Sequence, residues 1–242
     1  MTDSSETMTY ITFDDADSLD AFTTRGQDEA LEIVTAPGSR QNGTACKVHF
    51  PGGGHDAGSL RYSFPAEQGV EPESMYATYW LYLDESFQPS YNGKLPGFAG
   101  TYGNAGSAGR RSNGTNGWSA RGSFYPPDEN GNVPIGNYVY HADMDAFGTH
   151  AVWDTALEPG NWYVIDQYIE LNTPGEHDGI LRGWVDKEHV HTSEDWRWRD
   201  TADLKIEEWW AHFYHGGSEP APQDMSLYID NVYLQDEELP EK

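Results

Sequence analysis

The chain has 242 residues, with 40 Asp and Glu against 14 Lys and Arg, for a formal charge of −26. A surface of that sign repels a phosphate backbone, which excludes a nucleic-acid partner. Hydrophobic residues make up only 37% of the chain, but 14% are aromatic, including 9 Trp and 15 Tyr, which supports a packed core and excludes a disordered chain.

Runs rich in Tyr, Val, Ile, Trp and Phe, punctuated by Gly, Pro, Asn and Asp, predict strands at 8–13, 31–35, 45–50, 59–64, 75–83, 118–124, 137–142, 162–171, 180–186, 207–214 and 226–234. Helical periodicity is nearly absent. About eleven strands with short turns predict an all-β fold, a β-sandwich or jelly roll of the concanavalin-like kind, with two antiparallel sheets and a concave substrate groove. In the run 75–83 both alternating sets are apolar or aromatic, so one set is expected between the sheets and the other on the concave face. No repeat or linker divides the chain, which reads as one domain over 1–242 with an acidic tail at 235–242. The Gly/Ser/Asn-rich stretch 97–117 reads as the largest loop, a length that marks function or disorder.

The lone Cys46 allows no intramolecular disulfide, and no Cys/His run has zinc spacing. The N-terminus has no basic segment followed by an apolar core, and no window is apolar enough to span a bilayer. A non-membrane protein is expected, monomeric and secreted with its signal removed rather than cytoplasmic. The acid-rich, Lys-poor composition resembles that of halophile proteins, whose carboxylate repulsion is tolerable where about 1 M salt cuts the Debye length to about 3 Å.

Between residues 86 and 127 there is no Asp or Glu over 42 positions, where an even spread would place about seven. Lys94, Arg110, Arg111 and Arg121 lie within this window. A positive island in so anionic a chain is a candidate site for an anionic ligand. Its motifs are GKLPG at 93–97 and GWSAR at 117–121, and YVY follows at 138–140. On strands, Ser119 and Arg121 share a face, as do Tyr138 and Tyr140. A guanidinium beside a hydroxyl, near two phenols, offers a clamp for a carboxylate and groups able to move protons.

The Lys94 motif, the Ser-x-Arg pair and the Tyr-x-Tyr pair, in that order, resemble the active-site signature of the jelly-roll alginate and glucuronan lyases, polysaccharide lyase families 14 and 20. Further matches are WYVIDQYIELN at 162–172, GILRGWVD at 179–186, FYHGGS at 213–218 and YIDNV at 228–232. The long insertion between Lys94 and Ser119 and the Pro-rich loop before Tyr138 depart from the family pattern. The resemblance implies β-elimination on an anionic uronic-acid polysaccharide, with Lys94, Ser119, Arg121, Tyr138 and Tyr140 as the catalytic set. Arg121 suits the carboxylate; the base is open among Tyr138, Tyr140 and Lys94. His55, Gln167 and Arg111 are candidates for substrate binding. No cofactor is required, although Asp14, Asp15 and Asp230 are placed by the resemblance for a structural calcium. His212 and His215 are expected to pack or hydrogen-bond, and Trp80, Trp184 and Trp209 to stack on sugars or to fill the core.

Two other functions compete with a lyase. A carbohydrate-binding module would use the same sandwich and aromatics without cutting. A retaining glycoside hydrolase needs paired carboxylates, and the Glu-x-Asp-x-x-Glu strand common on this architecture is absent.

Overall fold

A computed structural model describes residues 9–38 and 43–236. Their strands, in chain order, are β1 (Thr9–Ile11), β2 (Thr24–Gly26), β3 (Leu31–Thr35), β4 (Thr44–Phe50), β5 (Asp56–Ser63), β6 (Ser74–Leu83), β7 (Gly93–Gly100), β8 (Trp118–Phe124), β9 (Val133–Tyr140), β10 (Thr149–Leu157), β11 (Trp162–Glu170), β12 (Gly179–Val185), β13 (Glu188–Trp196), β14 (Glu208–His215) and β15 (Met225–Gln235). One sheet has the order β13-β12-β11-β6-β15-β4-β3, with β1 beside β15; the other has the order β10-β9-β8-β7-β14-β5-β2. Met8 and 237–242, parts of a predicted strand and of the predicted tail, lie outside the described residues. Gln235 belongs to β15 rather than to a tail. No helix among the described residues is long and apolar enough to cross a membrane.

Side-chain alternation explains why these segments form two layers. Along β6, Met75, Ala77, Tyr79, Leu81 and Leu83 are all buried, and along β14 so are Trp209, Ala211 and Phe213. Tyr79 meets Trp209 edge-on at 6.1 Å, one ring from each sheet. Fully buried side chains of this size stabilise the fold by about 1.5–3 kcal/mol each, and one continuous core runs from Ile11 to Leu234.

Two expectations are corrected. The outer residues of β6, among them Tyr76 and Tyr82, do not line a groove, because β6 sits in the sheet away from the cavity described below. They pack with aromatics of neighbouring strands instead: Tyr76 lies 4.4 Å from Tyr168, and Tyr82 5.3 Å from Trp162. The second correction concerns 97–100, read as the start of a loop but forming the end of β7, a central strand with all eight residues buried. Its Gly and Pro content conceals it. A Cβ on Gly97 would fall 2.4 Å from the Ala120 carbonyl oxygen, so only glycine lets β7 and β8 approach. Pro96 sits within a register shift between Leu95 and Phe98, where its missing N–H breaks no regular ladder. The other unpredicted strands, β2, β10 and β13, lie at sheet edges.

Candidate functional site

The sheet containing β7 to β10 carries a cavity of about 940 Å³ on its outer face. Lys94 projects into it from β7, Arg121 from β8, Tyr138 and Tyr140 from β9, His150 from β10, and Trp210, His212 and Tyr214 from β14. Strand register brings them together: His150 pairs with Tyr138, Tyr138 with Arg121, and Lys94 with Tyr214. The loop 101–117 closes one side through Ser107, Ala108 and Gly109.

Arg121 is only 3% exposed, and no carboxylate among the described residues lies within ion-pair distance of it. One terminal nitrogen donates to His212 Nδ1 at 3.0 Å, the other faces the Gly106 carbonyl at 3.5 Å, and Nε has no hydrogen-bond partner. The nearby carboxylate of Glu208 is taken by Arg61 at 2.5 Å. Burial pulls the guanidinium pKa down to about 10, which still leaves it charged at neutral pH. Its charge is cushioned by the rings of Trp210 and Tyr140, 4.9 and 5.7 Å away. An uncompensated buried cation is costly, and its open valence suits an incoming anion.

Burial, reinforced by the charge of Arg121, brings Lys94 down to about 7, so a large fraction of its amine is neutral near pH 7. Its Nζ lies 4.0 Å from the centre of the Tyr138 ring. Burial and the neighbouring Tyr140 push the Tyr138 phenol up, which keeps its proton on. The Gly148 N–H donates to the Tyr138 hydroxyl at 3.0 Å, and a hydrogen bond with the Tyr140 side chain also helps to hold the phenolic proton. Tyr140 stands edge-on to Tyr138, 5.5 Å between centroids.

Burial drives His212 down to about 4, so it is neutral. Because Nδ1 accepts from Arg121, the proton belongs on Nε2, which lies 3.8 Å from Asp56 on the cavity wall. A neutral imidazole thus orients the guanidinium without cancelling its charge. His150 packs on Tyr138 at 4.7 Å and is also held down by burial and by Lys94.

Of the predicted residues, Lys94, Arg121, Tyr138 and Tyr140 share this cavity. Ser119 does not line it: its hydroxyl is buried and donates to the Gly106 carbonyl at 2.6 Å, tying down the loop 101–117. Gln167 is corrected to a core position; it projects from β11 between the sheets and donates to the Pro96 carbonyl at 3.1 Å. Arg111 is exposed on the loop and does not line the cavity, while Arg110 is spent on the Gly103 carbonyl. His55 stacks behind Tyr214 at 5.5 Å and hydrogen-bonds the His215 carbonyl.

Of the three aspartates, Asp15 caps a 3₁₀ turn, Asp14 accepts from Thr12, and Asp230 accepts from Asn231. No group of three or more His, Cys, Asp or Glu suited to a metal occurs among the described residues. His215 and His212 both hydrogen-bond, His215 with the Glu219 carbonyl and His212 with Arg121 in the cavity. Trp209 is core, and its chain neighbour Trp210 faces the cavity. Neighbours on a strand point to opposite faces, and parity cannot be fixed without the register. His150 and Asp56 carry no sequence signal beyond their residue type, whereas Tyr214 lies in the FYHGGS run at 213–218.

The sequence profile of the family described as Polysaccharide lyase 14 matches residues 38–232. No curated protein sequence matches. Among solved structures, alginate lyase Aly36B is 18% identical, covering 97% of this chain and 98% of that one with a TM-score of 0.76. The marine PL-14 alginate lyase from Aplysia kurodai is 17% identical, covering 93% and 97% with a TM-score of 0.75. An endo-β-1,4-glucuronan lyase from the fungus Trichoderma reesei is 12% identical, covering 90% and 92% with a TM-score of 0.64. At these identities the likeness establishes the jelly-roll fold.

Proposed function

Because the chain belongs to polysaccharide lyase family 14, and is therefore a polysaccharide lyase, we propose that this cavity cleaves a uronic-acid polymer of the alginate or glucuronan type by β-elimination. The observation that carries the reading is a buried arginine without a carboxylate partner among the described residues, in one cavity with a lysine whose pKa is brought down to about 7 and two phenols, on a protein of charge −26. Arg121 pairs with the C5 carboxylate and makes the neighbouring C–H acidic by stabilising the charge that develops on the carboxylate. Neutral Lys94 takes the C5 proton. The C–H electrons form the C4–C5 double bond, the C4–O4 bond breaks, and O4 leaves with a proton from Tyr138. Tyr140 and His212 hold Arg121 and Tyr138 in place.

No step calls for a metal, since Arg121 supplies the positive charge at the carboxylate. One chain supplies the whole proposed site, consistent with a monomer. A polymeric substrate puts the work of the enzyme outside the cell.

The test is a panel of alginate, glucuronan and a neutral glucan, followed by the ultraviolet absorbance of the unsaturated product. Absorbance is expected from uronate polymers alone. Saturated reducing ends without absorbance would instead mean hydrolysis, and the reading would fail.

A further inference from the structure

Five large apolar side chains stand exposed among the described residues: Tyr10, Val70, Tyr91, Phe147 and Val152. Two of them, Tyr91 at 41% and Phe147 at 73% exposure, line the cavity. Single exposed apolar residues are ordinary; what sets these two apart is that both border the same cavity. Neither ring enters a ring–ring or cation–ring contact with a described residue, although most aromatics nearby do: Trp210 lies between Arg61 and His212, and Tyr138 meets both Tyr140 and His150. Beside Tyr91 the chain runs Gly216-Gly217, and even a Cβ on Gly217 would stay 3.9 Å from its ring.

Their placement follows from the topology. Tyr91 lies two residues before β7, at the end of the sheet where β8 finishes and β9 begins. Phe147 lies in the connection from β9 to β10, at the opposite end. The reacting groups lie between. Each ring is also tied to one of them: Tyr91 is three residues before Lys94, and Phe147 adjoins Gly148, whose N–H holds the Tyr138 hydroxyl. The cavity volume is at the upper end of the range of about 300–1,000 Å³ for pockets that hold whole small molecules, leaving room for more than one sugar ring.

We propose that Tyr91 and Phe147 are the outer sugar platforms of this cavity, stacking on the apolar faces of the uronate rings to either side of the one whose carboxylate Arg121 takes. This rests on the proposed function, and it defines the substrate as a chain crossing the sheet from end to end rather than a single terminal sugar. Aromatic rings offer large, rigid contact area against the C–H faces of pyranoses, and they attract without adding charge that would compete with Arg121 for the carboxylate.

The test measures initial rates on alginate and glucuronan, as polymer and as size-fractionated oligosaccharides, for the native enzyme, Tyr91→Ala, Phe147→Ala, Phe147→Trp and Tyr91→Phe. Each alanine variant should raise KM for polymer about three- to tenfold, the range of one aromatic contact, with a smaller effect on kcat. The penalty should shrink on oligosaccharides too short to reach the lost platform. Phe147→Trp and Tyr91→Phe should restore KM. Because neither side chain belongs to the buried core, the melting temperature should fall little, least in Phe147→Ala.

Polymer KM unchanged in both alanine variants, or a loss that is the same at every chain length, would overturn the proposal. If the native enzyme cleaves neither polymer, the lyase chemistry fails on its own. The platforms are then still tested by affinity electrophoresis in the same two polymers, where the alanine variants must be retarded less than the native protein, and equal retardation overturns them.

Discussion

Arg121 and Lys94 are each held in a state that costs the fold something, and each cost can be read separately from catalysis. Arg121 is buried with no carboxylate among the described residues at ion-pair distance, the nearby Glu208 being held by Arg61. Replacing it by methionine removes an uncompensated charge and refills much of its volume, so Arg121→Met should leave stability unchanged or raise it by about 1–3 kcal/mol. The same change should cut kcat/KM by a factor of roughly 100 or more, the scale of losing one main electrostatic contact in a transition state. Thermal unfolding beside kinetics checks both; a destabilised variant would mean that Arg121 is a structural residue.

Lys94 gives a pH dependence with a definite sign. Its folded value of about 7 lies below the ordinary lysine value of 10.5, so the folded state binds its proton less tightly than the unfolded chain does. Protonation of Lys94 therefore penalises the fold fully below about pH 7, and the penalty is lifted as pH rises from 7 toward 10.5. Activity that depends on the neutral amine should rise through a limb near pH 7. Glu208 also titrates near 7, raised by burial against the pull of Arg61, so the limb must be assigned. Glu208→Gln should keep it, and Lys94→Arg, which cannot lose its proton, should abolish both limb and turnover. A limb lost in Glu208→Gln would reassign the base.

At the scale of elements, the loop 101–117 is anchored at its ends by Tyr102, which bonds Glu71 and Glu207, and by the Gly114 carbonyl, which accepts from the Asp200 N–H. Its middle is held by the buried carbonyl of Gly106, which takes the Ser119 hydroxyl and faces Arg121. Ser119→Ala leaves that carbonyl one hydrogen bond short, at a cost of about 1 kcal/mol. The expected outcome is faster amide exchange around Gly106, in the middle of the loop, and a raised KM, with kcat falling less than in Lys94→Arg. A collapse of kcat without faster exchange would put Ser119 in contact with substrate instead.

The same elements show what the sequence could and could not disclose. Ser119, Arg121, Tyr138 and Tyr140 lie on strands of plain β composition, so their alternation was enough to pair them on faces. β7 was hidden because close packing against β8 demands glycine, the residue that also marks loops. β10 and β13 were missed because edge strands carry exposed polar residues that break the alternating pattern. Gln167 was misplaced because a buried amide donating to the Pro96 carbonyl looks, in sequence, like one lining a groove. His150 and Asp56 enter the cavity only through strand register, which one chain's sequence does not determine.

For the whole molecule, the sign of the net charge reverses the usual salt dependence of an enzyme with an anionic substrate. A basic enzyme draws a polyanion in from a distance and loses that attraction as salt is added. This chain, at −26, repels a uronate polymer at long range while Lys94 and Arg121 attract it only at contact. The two effects have different reach. At 0.1 M salt the Debye length is about 10 Å, so the far-field repulsion is still felt; at 1 M it is about 3 Å, and only contacts inside the cavity survive. Screening also relieves repulsion among the surface carboxylates and should stabilise the fold. Both the melting temperature and kcat/KM on uronate polymer are therefore expected to rise between 0.1 and 1 M NaCl, with the kinetic gain larger for long chains, which carry more charge, than for oligosaccharides. A fall in kcat/KM over that range, with the melting temperature rising, would mean that attraction from the Lys94 and Arg121 pocket extends beyond the cavity mouth and dominates the approach of substrate.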